Sequence, residues 1–320
     1  MKSIIILILA VLLDFIFGDP YCIPHPITYI GKLIRLLEKG IRKSKLPLRL
    51  GGFFLLLLSI GTVWLAITGL LYLANQIHPI AKDLIVIYLL YTSLAAKCLK
   101  NEVVKVYEAL KNNQLLEARK YISYLVGRDT SRLDGDEVTR AAVETAAENT
   151  VDGVLAPLLY IILGMVFQLP VQFVFAYKTV NTLDSMVGYM QEPYKEIGFF
   201  SAKTDDLLNY VPARIGSIFM LLGGTLLGYN LKNGVKVLMR DRRNHKSPNC
   251  AYPEAVVAGL LEVQIGGTNQ YFNETVVKPT IGDGTQILVY KHILDTVKIM
   301  YAAEIILICT SILMMAYLLD

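Results

Sequence analysis

Apolar residues in this chain gather into long blocks rather than into short alternating runs. A bilayer's hydrocarbon core is about 30 Å thick and takes roughly 20 apolar residues in a helix to cross. Residues 53–74 meet that length without a single charge. Residues 80–99 meet it if Lys82 snorkels to the interface. Residues 154–176 are apolar but hold Gln168, Pro170 and Gln172, residues 215–229 form a short glycine-containing stretch, and residues 297–319 close the chain. The opening block, 4–17, is interrupted by Asp14. The pattern predicts an all-α, polytopic integral membrane protein with large cytoplasmic connecting segments. It predicts a single membrane-embedded domain over 1–320, with candidate spans at 4–17, 53–74, 80–99, 154–176, 215–229 and 297–319.

Composition narrows the class. Of 320 residues, 54% are hydrophobic and 18% charged, and mean hydropathy is +0.48. Soluble domains run at roughly 25% charged and 45–50% apolar, so a free cytosolic enzyme, a disordered chain and a disulfide scaffold are excluded. The net charge of +4 is clustered, and no basic run is interleaved with aromatics, so nucleic acid is not an expected partner. Cys22, Cys98, Cys250 and Cys309 lie far apart and are expected to be reduced thiols. His25, His78, His245 and His292 show no H-x-x-x-H spacing. The first block follows Lys2 as a secretory signal would, but it ends in Gly18-Asp19-Pro20 and lacks a small-x-small cleavage site. A retained first span is expected.

Basic residues set the orientation. Residues 31–50 carry Lys32, Arg35, Lys39, Arg42, Lys43, Lys45 and Arg49 against Glu38, whereas the connector 75–79 has neither Lys nor Arg. Segment 31–50 is therefore expected in the cytoplasm, 75–79 outside, and 97–153 in the cytoplasm again. Segments 177–214 and 230–246 are both polar and basic, yet they flank one short stretch. Either Pro170 splits its block into two short helices, or 215–229 is re-entrant, which protein cover or a water-filled cavity permits.

The most informative polar stretch runs from Gly127 to Gly153. At about 100° per residue, with Glu137 at zero, Arg140 falls near −60°, Glu144 near −20°, Glu148 near +20° and Asp152 near +60°. Val138, Ala142, Val143, Ala146 and Ala147 occupy the other side, a small-residue face that lets a neighbouring helix come close. Like charges at i,i+4 repel by a few tenths of a kcal/mol per pair, and Glu144/Glu148 and Glu148/Asp152 are two such pairs. A bound cation explains the ladder, and Mg²⁺ held by one or two carboxylates and substrate phosphates suits it. At the start of the same helix, Asp134 with Glu137 three residues on has the form of a capping box, and Asp136 suits the helix dipole.

Other clusters carry chemistry less specifically. Asn181-Thr-Leu-Asp184-Ser follows an apolar run holding Lys178, and ionisable groups beside a span are functional candidates. Lys203, Asp205 and Asp206 precede Asn209 and Pro212-Ala-Arg214, residue types that suit a metal–phosphate site or a plain helix start. The run from Arg240 to Asn249, with Arg243 and Lys246, either binds phosphate or obeys the positive-inside rule. Gly266-Gly267-Thr-Asn269 with Tyr271, and Gly282-Asp-Gly284, have the form of permissive turns. Pro20, Pro24 and Pro26 make a rigid interfacial segment around His25, which either titrates near neutral pH or serves the turn. No G-x-x-x-x-G-K-[ST] and no G-x-G-x-x-G is present.

At these strings the chain resembles the adenosylcobinamide-phosphate synthase family of cobalamin biosynthesis, the CobD/CbiB membrane proteins. The strings are Gly18-Asp19-Pro20 with Pro24-His25-Pro26, Gly127-Arg128-Asp129-Thr130, Glu144-Thr-Ala-Ala-Glu148-Asn with Asp152-Gly153, Lys178-Thr-Val-Asn181-Thr-Leu-Asp184-Ser, and Asp205-Asp206 with Pro212-Ala-Arg214. Asp241, Ser247-Pro-Asn249 and Gly266-Gly267 follow. Ile197 stands where the family's Tyr-x-x-Phe-Gly string has Phe.

The resemblance implies a multi-pass protein of the cell's inner membrane with its active site on the cytoplasmic side. It implies an ATP-dependent ligase that joins the propionate of adenosylcobyric acid, a corrinoid, to the amine of an amino-alcohol phosphate, (R)-1-amino-2-propanol O-2-phosphate. ATP and Mg²⁺ are the implied cofactors. Glu144, Glu148 and Asp152, joined by Asp205 and Asp206, are the expected metal ligands, with Asp184 and His25 as further catalytic candidates. Arg128, Asp129, Lys203, Arg214, Arg243, Lys246 and Asn249 are the expected nucleotide and phosphate contacts. A homo-oligomer is compatible with this reading. The alternatives are a Mg-dependent intramembrane prenyl- or phospho-alcohol transferase, whose product is a lipid, and an AmpE-like membrane sensor without catalysis.

Overall fold

A computed structural model describes residues 2–20, 24–271 and 274–319. Prolines, hydroxyls and glycines decide where its helices break. Helices α1 (Lys2–Phe17), α2 (Pro26–Lys43) and α3 (Leu48–Ile77) are followed by α4 (Pro79–Tyr91), then α5 (Ala96–Lys111) and α6 (Leu115–Ser123). α7 (Gly135–Thr150) continues through a π-helical turn, Val151–Leu155, into α8 (Ala156–Val166). Then come α9 (Pro170–Val187), α10 (Phe199–Leu208), α11 (Tyr210–Leu226), α12 (Leu231–Asp241) and α13 (Ala251–Leu260). An antiparallel hairpin, β1 (Ile265–Tyr271) and β2 (Glu274–Ile281), precedes α14 (Lys291–Leu319).

The all-α membrane architecture holds. Among the described residues Leu48–Ile77, Pro79–Lys111, Gly135–Val166 and Lys291–Ala316 are long and apolar enough to cross a bilayer, and Phe199–Leu208 with Tyr210–Leu226 adds a fifth if that broken pair is one span. Four boundaries differ from expectation. The 4–17 block lies in a helix of 16 residues, a rise of about 24 Å, short of the hydrocarbon core. The 80–99 block lies within the candidate span Pro79–Lys111 but its α-helix is interrupted after Tyr91, where the Thr92 hydroxyl donates to the Tyr88 and Leu89 carbonyls and Ser93 to that of Leu90, taking acceptors that a further turn needs.

The 154–176 block is two elements. Pro170, without an N–H, starts α9 as its first residue, and Gln168 before it takes φ +62°. A Cβ on Gly164 would stand 2.6 Å from Pro170 Cα, so the chain can double back this tightly only past a glycine. In the other direction α8 follows the acidic helix without a break in helical structure, over Gly135–Val166. The ladder therefore belongs to the same helical stretch as a candidate span instead of lying in a separate connection. Finally, α11 starts at Tyr210, five residues before the expected 215, and ends ahead of Gly228 at φ +87°.

The chain divides into two compact units. The first comprises Met1–Ala95, Pro157–Asn209 and Met315–Asp320. Its α3 packs against α2, α4, α9 and α10, while α1 lies on α4. Leu7, Ile34, Leu55, Leu90, Phe175 and Leu183 are fully buried in it. Lys2 pairs with Asp83 at 2.7 Å, Tyr91 donates to the Gly18 carbonyl, and Tyr88 donates to that of Pro24 at 2.6 Å. The second unit comprises Ala96–Ala156 and Tyr210–Met314. There α13 packs on α7, α11 and α12, α5 on α6 and α7, and β1 on α7. Among the described residues Cys98, Cys250 and Cys309 form no disulfide, and Cys22 lies outside the described residues.

Candidate active site

In the second unit α7 starts with the expected capping box. Asp134 Oδ1 accepts from the Glu137 N–H at 2.8 Å, and Glu137 Oε2 accepts from the Asp134 N–H at 3.0 Å. Those two acids are occupied by helix initiation. The sequence alone left that open.

Two turns further on, Glu144 is 9% exposed and fully engaged. Its Oε2 lies 3.1 Å from Arg128 Nη2, and its Oε1 accepts from the Gly266 N–H at 2.8 Å, with Arg140 Nε 4.0 Å away. Gly266 and Gly267 take φ near +80° (+80° and +82°) and shift the strand register between Gly266 and Thr268. The expected turn is thus a bulge inside β1. A bulge turns a backbone group away from the ladder, and here the Gly266 N–H goes to Glu144. Arg128, Glu144 and Gly266, three separate strings in sequence, form one buried junction. Asp129 beside it is exposed, and its Oδ1 accepts from the Ser131 N–H at 2.9 Å. That bond, with further help from the Ser131 hydroxyl, holds the Asp129 carboxyl below the usual range.

Glu148 has a different environment. It is half-buried, its Oε1 accepts from Cys250 Sγ at 2.8 Å, and its Oε2 makes no hydrogen bond among the described residues. Burial, followed by the charges of Glu148, Asp152 and Glu254, pushes the Cys250 thiol well above its ordinary range. It therefore stays protonated and donates. Asp152 lies in the π turn, so the α-helical arithmetic that put it at the end of the stripe does not hold there; π turns inside helices recur at functional sites. A Cβ on Gly216 of α11 would come 3.2 Å from Leu155 and 3.3 Å from Val151, so this glycine lets α11 lie close against the turn.

Two residues before Gly216 is Arg214. Its Nη1 donates to Asn249 Oδ1 at 3.1 Å and to the Tyr210 carbonyl at 2.5 Å. Its guanidinium carbon sits 3.3 Å from the Tyr210 ring centre and 4.3 Å from that of Tyr252. Asn249 and Cys250, neighbours in sequence, thus touch Arg214 and Glu148. This places a cation and a carboxylate on the two sides of one dipeptide. Arg243 and Lys246, just upstream, are exposed and make no hydrogen bond or ion pair among the described residues. Arg240 is spent on structure: it grips both oxygens of Asp241 at 2.7 Å, and Asp241 also accepts from the Gly282 N–H at 2.8 Å.

The remaining candidates lie in the first unit. Asp205 accepts from Asn181 at 3.3 Å and from Asn209 at 3.0 Å, one amide on each oxygen, and Asn209 accepts from Tyr177 at 2.9 Å. Asp206 pairs with Lys203 at 3.3 Å on an exposed edge. Asp184 is half-buried on α9, and its main-chain oxygen accepts from the Gly188 N–H at 2.7 Å. His25 is the N-cap of α2. Its Nδ1 accepts from the Ile27 N–H at 3.3 Å, and its Nε2 lies 3.3 Å from Asp19 Oδ1. Cys250, Tyr252 and Glu254 have no distinguishing spacing in the sequence; only Pro253-Glu254, at the front of an apolar run, marks a helix start.

The model of the CobD/CbiB protein family matches residues 7–300. This chain belongs to the CobD/CbiB family. Among its relatives, the cobalamin biosynthesis protein CobD of Clostridium tetani is 46% identical over 96% of both chains. The protein of the same name from Geobacter metallireducens is 46% identical over 97% of this chain and 96% of its own. The Listeria monocytogenes CobD protein is 44% identical over 92% of this chain and 93% of its own. No solved structure matches. Within the matched region, Asn249 of Ser247-Pro-Asn249 supplies the contact to Arg214, and Gly266 that to Glu144.

Proposed function

We propose that this protein catalyses the amide-forming step of cobalamin biosynthesis on the cytoplasmic side of the plasma membrane. The propionate of adenosylcobyric acid would be joined to (R)-1-amino-2-propanol O-2-phosphate with consumption of ATP. Family membership supports the pathway. The observation that carries the chemistry is the placement of Glu148 and Arg214 against the adjacent residues Cys250 and Asn249.

In this reading a propionate oxygen attacks a phosphorus of ATP, and ADP or pyrophosphate leaves. The amine nitrogen then displaces phosphate or AMP from the acyl carbon and gives up a proton. Both steps build charge on phosphoryl oxygens, which cationic groups must neutralise. Arg214 supplies a fixed fork of donors for that charge, and the exposed Arg243 and Lys246 supply mobile ones.

The donor set fits magnesium held through few protein ligands. Among the described residues no three His, Cys, Asp or Glu side chains are grouped to cage a metal ion, and Mg²⁺ at phosphate sites takes one or two carboxylates and keeps water and phosphate as its other ligands. Glu148, with Oε2 unengaged, and Asp152 would hold it; Glu144, with both oxygens taken, would not. When bound, the ion supplies charge neutralisation. His25 is assigned to capping α2, because its Nδ1 already accepts from the Ile27 N–H.

The test is product analysis. The purified protein is incubated with adenosylcobyric acid, ATP and Mg²⁺, and with aminopropanol phosphate or ethanolamine phosphate, and products are weighed by mass spectrometry. A corrinoid amide, with stoichiometric ADP or AMP, supports the proposal; a lipid product, or none, refutes it.

A further inference from the structure

We infer that Tyr252, together with Tyr210, is a positioning residue that holds Arg214 as an oxyanion clamp; the inference rests on the phosphate-binding reading of Arg214 above. Arginines with a structural task in this protein, one buried (Arg128) and one exposed (Arg240), are matched to carboxylates. Arg128 has Glu144 at 3.1 Å, and Arg240 has Asp241 at 2.7 Å. Arg214 is half-buried and has no carboxylate partner among the described residues. Its guanidinium lies instead over two aromatic rings, one from its own helix four residues back and one from α13.

That geometry leaves a specific set of donors. The Nη1 hydrogens go to the Tyr210 carbonyl and to Asn249 Oδ1. Nε and Nη2 meet no acceptor among the described residues. They form the edge that matches two oxygens of a phosphate or carboxylate group. A ring face stabilises a cation without taking an N–H. The two tyrosines therefore fix the plane of the fork while leaving its edge available. Tyr252 also stands two residues after Cys250, so the same turn of α13 orients Arg214 and touches Glu148. Fixing a long side chain before its ligand arrives reduces the ordering cost at binding. The expected ligand is a phosphoryl group of one of the phosphorylated substrates.

The test uses the full-length protein in detergent micelles. Variants Tyr252→Phe, Tyr252→Leu and Arg214→Gln are compared by KM and kcat for ATP, by KM and kcat for the amino-alcohol phosphate, and by equilibrium binding of inorganic pyrophosphate. Leucine fills similar space without a π face. Tyr252→Leu is expected to raise one of the two KM values and the pyrophosphate Kd about tenfold, the size of a desolvated cation–π contact, with kcat within about twofold. Tyr252→Phe is expected to restore the lost affinity. The inference is overturned if Tyr252→Leu leaves affinity unchanged while Arg214→Gln weakens it, if only kcat falls, or if Tyr252→Phe is as weak as Tyr252→Leu. An Arg214→Gln variant with unchanged affinity refutes the phosphate-binding reading itself. If Tyr252→Leu fails to fold, Tyr210→Leu carries the same test, since Tyr210 is 50% exposed.

Discussion

Cys250 donates its thiol hydrogen to Glu148 across 2.8 Å, from a position 102 residues along the chain. The residue before it, Asn249, accepts from Arg214. Two side chains of opposite charge thereby come to flank one dipeptide at the start of α13. Of the ladder, Glu144 is committed to Arg128 and to the β1 bulge.

That commitment predicts a stability effect distinct from any catalytic one. Removing one partner of a buried ion pair leaves the other charge buried and uncompensated, which costs about 3–5 kcal/mol. Arg128→Met is expected to lower the unfolding temperature sharply, whereas Arg128→Met with Glu144→Leu regains most of the loss. Thermal unfolding of both variants in one detergent checks this. A double variant no more stable than the single one contradicts it.

A second consequence is acid sensitivity at the α12–hairpin junction. Burial raises the Asp241 carboxyl, but the Arg240 and Gly282 hydrogen bonds outweigh it and hold the group below the ordinary range; Lys236 and Arg240 do the same for the half-buried Asp283. A depressed folded pKa stabilises above the unfolded value of about 3.9 and loses that contribution as pH falls through the folded value. Unfolding temperature is therefore expected to drop below about pH 4. Asp241→Asn should start lower at neutral pH and show a shallower acid limb.

At the first unit, His25 caps α2 through Nδ1. His25→Ala should cost about 1 kcal/mol, and His25→Asn should recover most of it, since asparagine is a strong N-cap. Equal loss in both variants would show that the ring, rather than the cap, matters to stability.

Much of this fold was legible because its determinants are local. The capping box of Asp134 and Glu137 spans four residues, Pro170 announces its own break, and residues 53–74 need only their hydropathy. The π turn was not legible, since Val151-Asp-Gly-Val-Leu155 carries no residue that distinguishes i→i+5 from i→i+4 bonding. The hairpin was hidden because Gly266-Gly267 signals a turn, and the glycines here bend a strand. A helical wheel puts Glu144 and Glu148 on one stripe, and that much is right. It cannot show that Arg128 reaches Glu144 from the preceding loop while Cys250 reaches Glu148 from another helix. Arg214 and Asn249 were each marked by their strings, but their contact across 35 positions is a property of packing, set by how closely α11, α13 and the π turn approach.

The most direct test of the account is the rate of corrinoid amide formation by Glu148→Gln across a magnesium titration. Loss of an electrostatic contact made at the transition state costs about a hundredfold or more. The account predicts at least that loss at every magnesium concentration, with unchanged membrane insertion and unfolding temperature. Wild-type turnover in this variant would contradict it.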